Sequence, residues 1–143
     1  MNNQLDSFDL IDLLNAKYFK LRNLSDQMWN NSYNISISNS EWFIISLIYG
    51  KQPTISQITL QVNLSRQATH KSIKTLSTKG LIIINNVEHN SKNKCLILTP
   101  IGEKCFLENK RMKETIERDV VATIGIENVL LLKNLLKTNW NFL

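Results

Sequence analysis

Apolar residues recur every three or four positions over most of this 143-residue chain, in segments separated by short polar breaks. The first such stripe covers residues 5–31, and this spacing predicts an amphipathic helix. The stripe is long for a small domain, so we expect it to need a partner surface, either the chain's own distal helices or a second subunit. Its members are Leu5, Phe8, Ile11, Leu14, Tyr18, Leu21, Leu24 and Met28.

A polar break at 30–34 separates this helix from the next pattern. The β-branched run at 35–37 predicts a short bridging strand. Ser38 and Glu41 then have the spacing of a capping box, in which each side chain satisfies a free backbone amide at the start of a helix. This helix extends to about Tyr49, and Gly50 ends it.

A helix-turn-helix follows. Thr54 and Gln57 form a second capping box, which opens a helix of about two turns. After a break at 63–64, Ser65 can N-cap a further helix that Gly80 ends in the left-handed conformation. A period of 3.6 places Ala68, Ser72, Ile73 and Leu76 on one side of that helix, and Arg66, Gln67, His70, Lys71 and Lys74 on the other.

The period changes after Gly80. Residues 81–84 and 95–98 are short apolar runs typical of strands, and the polar segment between them predicts a β-hairpin, the wing of a winged helix. Thr99 followed by Pro100 predicts a helix start, and this helix extends to about Thr123. Gly125 interrupts, and a leucine-rich last helix covers about 126–141.

These elements predict a mainly α fold with a small β-hairpin wing (α+β), in one domain over 1–143. Residues 35–99 form the winged helix-turn-helix, flanked by long terminal helices at 5–34 and 100–143. Two short helices joined by a tight turn are typical of a unit that places its second helix in a DNA major groove.

The charge distribution supports this interpretation more than the net charge of +5 does. Residues 1–41 contain five acids and three bases, and residues 88–143 contain seven acids and nine bases. Between Trp42 and Val87 there is no acid at all, but there are five bases: Lys51, Arg66, Lys71, Lys74 and Lys79. A basic block of this kind is the electrostatic footprint of a nucleic-acid binder.

Other classes of protein fit the sequence poorly. We find no Ser/His/Asp order, no glycine-rich phosphate loop and no ligand spacing for a metal, so we expect no enzyme, cofactor or metal site. No apolar run approaches the roughly 18 residues that span a bilayer. The polar, acidic start does not resemble a signal peptide, so we expect a cytoplasmic protein. Cys95 and Cys105 form no CxxC motif.

Five local patterns resemble the MarR family of bacterial transcription regulators, in order and at family spacing over nearly the whole chain. Ser38-x-x-x-Trp42-x-Ile44-Ile45-x-x-Ile48 resembles its second helix, and Ile55-x-x-Ile58-x-x-x-Val62-x-Leu64-Ser65 its helix-turn-helix entry. Ser65-Arg66-Gln67-Ala68 and Leu76-x-x-Lys79-Gly80-Leu81-Ile82 resemble the ends of its recognition helix. Leu98-Thr99-x-x-Gly102 resembles its exit from the wing.

The wing departs from the family pattern. Asn90-Ser91-Lys92 stands where the family usually has Asp-x-Arg, whose arginine enters the minor groove. Lysine keeps the charge but lacks the planar fork of arginine. We therefore expect a wing contact that is more electrostatic and less specific.

The resemblance implies a homodimeric, sequence-specific DNA-binding repressor, paired through its first, fifth and sixth helices. Such a dimer would read two half-sites of a pseudo-palindrome about 10 base pairs apart. It also implies a small aromatic effector in a cleft for which Tyr18, Met28, Trp29, Tyr33 and Trp42 are candidates, although each also suits a plain core. The expected DNA-binding residues are Thr54, Ser65, Arg66, Gln67, Thr69, His70, Lys71, Lys74, Lys92 and Lys94, of which Thr69 and Lys74 suit phosphate contact or packing.

Two alternatives stay open at this point. The chain could be a winged-helix module for protein interaction, or a ligand-independent regulator with weakened DNA binding. A redox sensor fits less well, because the redox-sensing branch of the family keeps its cysteine near the start of the first helix and this chain has no cysteine before Cys95. Buried structural thiols are the favoured interpretation of Cys95 and Cys105.

Overall fold

The computed structural model describes residues 4–62, 64–87 and 90–142, with side chains at all of these positions except 87 and 90–93. This part of the chain contains six α-helices and a two-stranded antiparallel hairpin, which confirms the predicted fold class. The elements are α1 (Leu10–Ser32), α2 (Asn39–Ile48), α3 (Ile55–Gln61), α4 (Arg66–Thr78), β1 (Ile82–Val87), β2 (Asn90–Leu98), α5 (Pro100–Ile124) and α6 (Ile126–Lys137).

The chain folds as two compact units. Met1–Ser32 and Arg111–Leu143 form one, which we call the helical unit, and Tyr33–Lys110 forms the other, which we call the winged-helix unit. No helix in the described ranges is long and apolar enough to cross a membrane.

The first long helix begins later than the apolar stripe predicts. A 3₁₀ turn covers Leu5–Ser7, and α1 starts only at Leu10. The reason is a reciprocal pair of side-chain caps at the intervening residues. The Asp12 amide donates to Asp9 Oδ1 at 2.8 Å, and the Asp9 amide donates to Asp12 Oδ2 at 3.4 Å. These caps satisfy amides that have no partner within the helix, so they fix its start.

The helical unit leaves much of its apolar surface in solvent. Val129 and Ile116 are buried, but the apolar stripe of α1 and the leucines of α6 are largely exposed. Gly125, at φ +92°, lets the chain turn between α5 and α6, and Lys133 pairs with Glu117 across the two helices. The exposed apolar residues of this unit include Leu10, Ile11, Leu14, Tyr18, Phe19, Leu21, Leu24, Ile126, Leu130, Leu131, Leu132, Leu135 and Leu136.

The last helix ends four residues earlier than predicted. α6 stops at Lys137 because Thr138 takes an extended conformation, with ψ 141°. The indole Nε1 of Trp140 then donates to the carbonyl of Leu135 at 2.8 Å, which satisfies one of the free carbonyls at the helix end. Trp140 was predicted to lie within this helix, but it follows the helix and caps its C-terminal end.

The winged-helix unit has a compact aliphatic core. α2, α3 and α4 each contribute fully buried side chains, and the residues that frame the hairpin complete the set. Both predicted capping boxes are present, at Ser38–Glu41 and at Thr54–Gln57. Gly80 follows α4 with a positive φ angle, as predicted, and Gly50, predicted only to end α2, also has a positive φ angle. The core residues are Ile44, Ile45, Ile48, Ile58, Ile73, Leu76, Leu81 and Leu96.

A third backbone segment pairs with the hairpin, but it is not the predicted segment at 35–37. β1 pairs antiparallel with β2 from Ile82 opposite Leu98 to Asn86 opposite Lys94, with a bulge at 86–87. The strand predicted at 35–37 is wrong, since residues 33–38 form neither strand nor helix. Instead, Thr54 bridges to Cys95, and the amide of Leu96 donates to the carbonyl of Pro53 at 2.8 Å. The segment before α3 therefore forms the bridge to β2 that was expected of residues 35–37.

The exit from the wing depends on a close backbone approach. Thr99 Oγ1 donates to the carbonyl of Gly80 at 2.7 Å and accepts from the amide of Gly102 at 3.0 Å. A Cβ atom on Gly102 would lie 2.0 Å from the carbonyl oxygen of Leu81. Only glycine fits at this position, so the first turn of α5 packs directly on the backbone of Leu81, between α4 and β1.

Candidate nucleic-acid interface

The start of α4 is defined by a local cap. Ser65 takes an extended conformation, and its hydroxyl accepts from the amide of Ala68 at 3.0 Å. The helix therefore begins at Arg66. The amides of Arg66 and Gln67 lie in the first turn, where no carbonyl within the helix can accept their hydrogen bonds. An N-terminus of this kind suits an anionic group such as a phosphate.

The two faces of α4 differ as the pattern predicts. Ile73 and Leu76 are buried, and Ala68 and Ser72 are half-buried. No acidic residue lies on the helix, so its solvent face carries only hydrogen-bond donors and amide groups that can pair with DNA. The side chains of this face are all exposed: Arg66, Gln67, His70, Lys71 and Lys74.

A groove joins three elements at the N-terminal half of α4. It has a volume of about 540 Å³, and α3, α4 and β2 all contribute to its walls. Arg66 and His70 of α4 face it together with Lys94 of the wing. The structure thus brings three of the predicted DNA-binding residues together around one concave surface. Its remaining walls come from Ile55, Ser56, Thr59 and Leu60 of α3.

The other end of α4 is held by an ion pair that the sequence did not reveal. Lys79 Nζ donates to both carboxylate oxygens of Glu41, at 2.8 and 3.1 Å, and to the carbonyl of Ser36 at 2.5 Å. Glu41 also accepts from the amide of Ser38 through its capping box. The Glu41 carboxylate therefore links the end of α4 to the start of α2.

Thr69 does not lie on the exposed face of α4, so the phosphate contact suggested for it is wrong and packing, the other role suggested for it, is the one that the structure supports. Its side chain is fully buried, and its hydroxyl donates to the carbonyl of Ser65 at 3.0 Å. A threonine hydroxyl can be buried at little cost when it bonds to a carbonyl one turn earlier. This local bond explains why a polar residue occupies an inward position.

Thr54 has a more limited role than its position suggested, whereas the expectations for the two wing lysines are unchanged. The amide of Thr54 donates to Gln57 Oε1 at 2.9 Å, and its hydroxyl accepts from the amide of Gln57 at 3.1 Å. Both groups are thus occupied by the capping box, and the amide is not free for a phosphate. Lys94 is exposed. Position 92 lies on β2, but the side chain of Lys92 falls outside the described part of the structure, so its contact with DNA stays a prediction.

The five aromatic and methionine candidates for an effector cleft are divided between the two units. In the helical unit, Trp29 is buried, Met28 is half-buried, and Tyr18 is exposed at the wall of an apolar groove of about 310 Å³ between α1, α5 and α6. In the winged-helix unit, Trp42 is buried and Tyr33 donates from its hydroxyl to Glu108 Oε2 at 2.9 Å. A cleft lined by all five stays a prediction.

The two cysteines differ in exposure. Cys105 is buried, and this burial raises the pKa of its thiol above the ordinary value, although nearby Lys104 lowers it slightly. Cys95 is half-buried on β2. Among the described residues, no group of three or more histidine, cysteine or acidic side chains is placed to hold a metal ion.

Comparison with known proteins supports the same class of protein. Residues 37–102 match the family model described as a winged helix DNA-binding domain. No curated protein matches the sequence at a significant level. This match covers the helix-turn-helix, the wing and the groove described above, so this part of the chain is similar to a winged helix DNA-binding domain.

Solved structures define the fold more closely. The chain is similar to Staphylococcus aureus MepR in its DNA-binding conformation, with 17% identity, 90% of this chain and 94% of that chain covered, and a TM-score of 0.73. NadR in complex with 4-hydroxyphenylacetate gives 23% identity, 91% and 92% coverage, and a TM-score of 0.72. Bordetella bronchiseptica BpsR, whose DNA binding is regulated by 6-hydroxynicotinic acid, is also similar. It has 14% identity, with 93% of this chain and 96% of that chain covered, and a TM-score of 0.70.

These neighbours are MarR-family regulators, and the chain has their fold over nine-tenths of its length. The fold that the five short motifs imply is thus confirmed, and the match to a winged helix DNA-binding domain agrees with the predicted function. Sequence reasoning missed Leu60 in the groove and, away from the groove, the Glu41–Lys79 pair at the other end of α4. Leu60 could have been noticed as the one leucine on the otherwise polar outer side of α3.

Proposed function

We propose that this protein is a homodimeric repressor that inserts α4 into the major groove of a pseudo-palindromic operator and responds to a small aromatic acid. The observation that carries the proposal is the exposed, acid-free face of α4, continued by Lys94 into the adjoining groove. Arg66 and Gln67 stand at the helix start, where side chains of a recognition helix reach base edges. Lys71 and Lys74 supply charge for the phosphate backbone.

Fluorescence anisotropy with the native upstream region tests DNA binding. We expect tight binding at low salt and a linear fall of log K with log salt concentration, because each phosphate contact releases counterions. Arg66→Ala should weaken operator binding by about 1–3 kcal/mol and relax preference at one position, whereas Lys74→Gln should lower affinity on all sequences alike. Absence of salt-dependent binding by the native chain would reject the proposal in favour of a protein-interaction module.

The dimer is supported by the apolar surface of the helical unit. Leucines along α6 and the stripe along α1 are too numerous to be left in water by a stable monomer, since exposed patches of this kind mark association surfaces. We propose that a second copy covers them. Leu131→Asp should shift the protein from dimer to monomer in sedimentation equilibrium, while Asn134→Asp on the same helix should not. A native chain that sediments as a monomer at micromolar concentration would contradict this.

The effector class comes from the neighbours. NadR is complexed with 4-hydroxyphenylacetate and BpsR is regulated by 6-hydroxynicotinic acid, and both ligands are hydroxylated aromatic acids. We propose the same class for this chain. Either compound should raise the melting temperature, and a ligand at 100 times its Kd adds about 2.7 kcal/mol of stability. The matched neutral amides serve as controls, and a flat response to both acids would argue for a ligand-independent regulator.

A further inference from the structure

Leu60 is an unusual residue on the solvent side of α3. Its side chain is 86% exposed, and no large apolar side chain in the described part of the chain is more exposed. The other solvent-facing positions of this helix are polar: Ser56, Gln57 and Gln61. Leu60 contributes nothing to the core, so its apolar surface becomes useful only when another molecule covers it.

The surroundings of Leu60 indicate which molecule this is. Leu60 lies in the wall of the groove that also contains Arg66, His70 and Lys94. Single exposed leucines are common on protein surfaces, but this one shares a concave surface with three nitrogen-bearing side chains and no acid. The same docking event that brings Arg66 to DNA therefore brings Leu60 against it.

Within the major groove, the base edges offer only one apolar group, the C5 methyl of thymine. We infer that Leu60 is a specificity-determining residue that packs on the methyl group of a thymine in each half-site, next to the base that Arg66 contacts. This inference rests on the proposed function, because it requires α4 to lie in the major groove. It adds a contact from α3, which a reading of the recognition helix alone does not include.

Replacement of single thymines by deoxyuracil tests the contact, since uracil lacks only the methyl group. One thymine at a time is replaced within one half-site, and Kd is measured by anisotropy for the native protein, Leu60→Ala and Leu64→Ala. Leu64 is the matched control, because it is also exposed but is not part of the groove. At one position we expect uracil to weaken binding of the native protein about fourfold, the value of one buried methyl group.

The variants give the decisive comparison. Leu60→Ala should bind the thymine operator more weakly and lose its sensitivity to uracil at that position, to below about twofold. Leu64→Ala should keep the fourfold sensitivity, and so should Leu60→Met, which retains an apolar side chain. Melting curves establish that each variant is folded, as expected for a surface position.

Three results would overturn the inference. If no thymine replacement changes the Kd of the native protein, Leu60 contacts a deoxyribose or stays in solvent. Equal uracil sensitivity of the native protein and Leu60→Ala would assign the methyl contact to another residue. In both cases salt-dependent operator binding persists, so the proposed function stands. A native chain that binds no DNA would overturn the inference and the proposed function together.

Discussion

Replacement of Lys79 by methionine should destabilise the winged-helix unit, although Lys79 lies outside the exposed basic face of α4. The side chain of Glu41 is only 8% exposed and that of Lys79 is 27% exposed. Lys79→Met keeps most of the side-chain volume but removes both donors to the carboxylate and the donor to Ser36. A buried carboxylate would then retain only the 3.3 Å bond from the amide of Ser38.

The expected cost follows from this geometry. Removal of one partner from a buried ion pair costs about 3–5 kcal/mol, because the remaining charge is left desolvated. Lys79 keeps about a quarter of its exposure, so water can reach the site and the lower end, about 3 kcal/mol, applies. For a chain of this length, a loss of this size lowers the melting temperature by about 6–12 °C.

Urea unfolding at fixed protein concentration measures the effect, and a double-mutant cycle isolates the pair. Glu41→Gln removes the charge that Lys79 neutralises, so Glu41→Gln/Lys79→Met should be more stable than the sum of the two single losses implies, by at least about 1 kcal/mol. Lys74→Met, on the exposed face of the same helix, should change stability by less than about 0.5 kcal/mol. A loss below about 1 kcal/mol for Lys79→Met, or strict additivity in the cycle, would refute the reasoning.

Three further changes have defined outcomes. Gly102→Ala should destabilise the protein by about 2 kcal/mol in urea unfolding, because its Cβ would meet the carbonyl oxygen of Leu81 at 2.0 Å; a neutral effect would mean that α5 can shift. Cys105 should react with a thiol reagent at pH 8 far more slowly than Cys95, because burial raises its pKa and blocks access, and equal rates in the folded protein would contradict its buried position. Ser65→Ala should cost about 1 kcal/mol of stability through loss of the α4 cap, and Ser65→Gly should cost less in the same melt, whereas equal losses would exclude capping as the cause.

Elements fixed by local chemistry were predictable from the sequence. The capping boxes at Ser38 and Thr54, the cap at Ser65 and the turn at Gly80 each involve residues within four positions of one another. Their hydrogen bonds form in any context that permits a helix, so the residue types are sufficient evidence. The order of the helices and the hairpin follows from these boundaries and from the change in apolar period.

Features that depend on distant parts of the chain were less accessible. The strand expected at 35–37 was wrong because the place beside β2 is taken by Pro53 and Thr54, a choice that tertiary packing makes and local pattern does not. Thr69 was placed among possible contacts because a threonine side chain is compatible with both faces of a helix. The pairing of Glu41 with Lys79 joins residues 38 positions apart, and no spacing rule connects them.

The hydrogen bond from the amide of Leu96 to the carbonyl of Pro53 has a consequence for the spacing of the two DNA contacts in the proposed complex. The base of the wing is hydrogen-bonded through main-chain atoms to the segment before α3. This contact therefore does not depend on the side chains at positions 53 and 96. In the proposed DNA complex, α4 lies in the major groove and the hairpin in the minor groove, and the backbone fixes the distance between these two contacts. A one-base-pair insertion between the two contacted stretches should not be absorbed by the protein, and mutations that alter which bases are read will leave their separation unchanged.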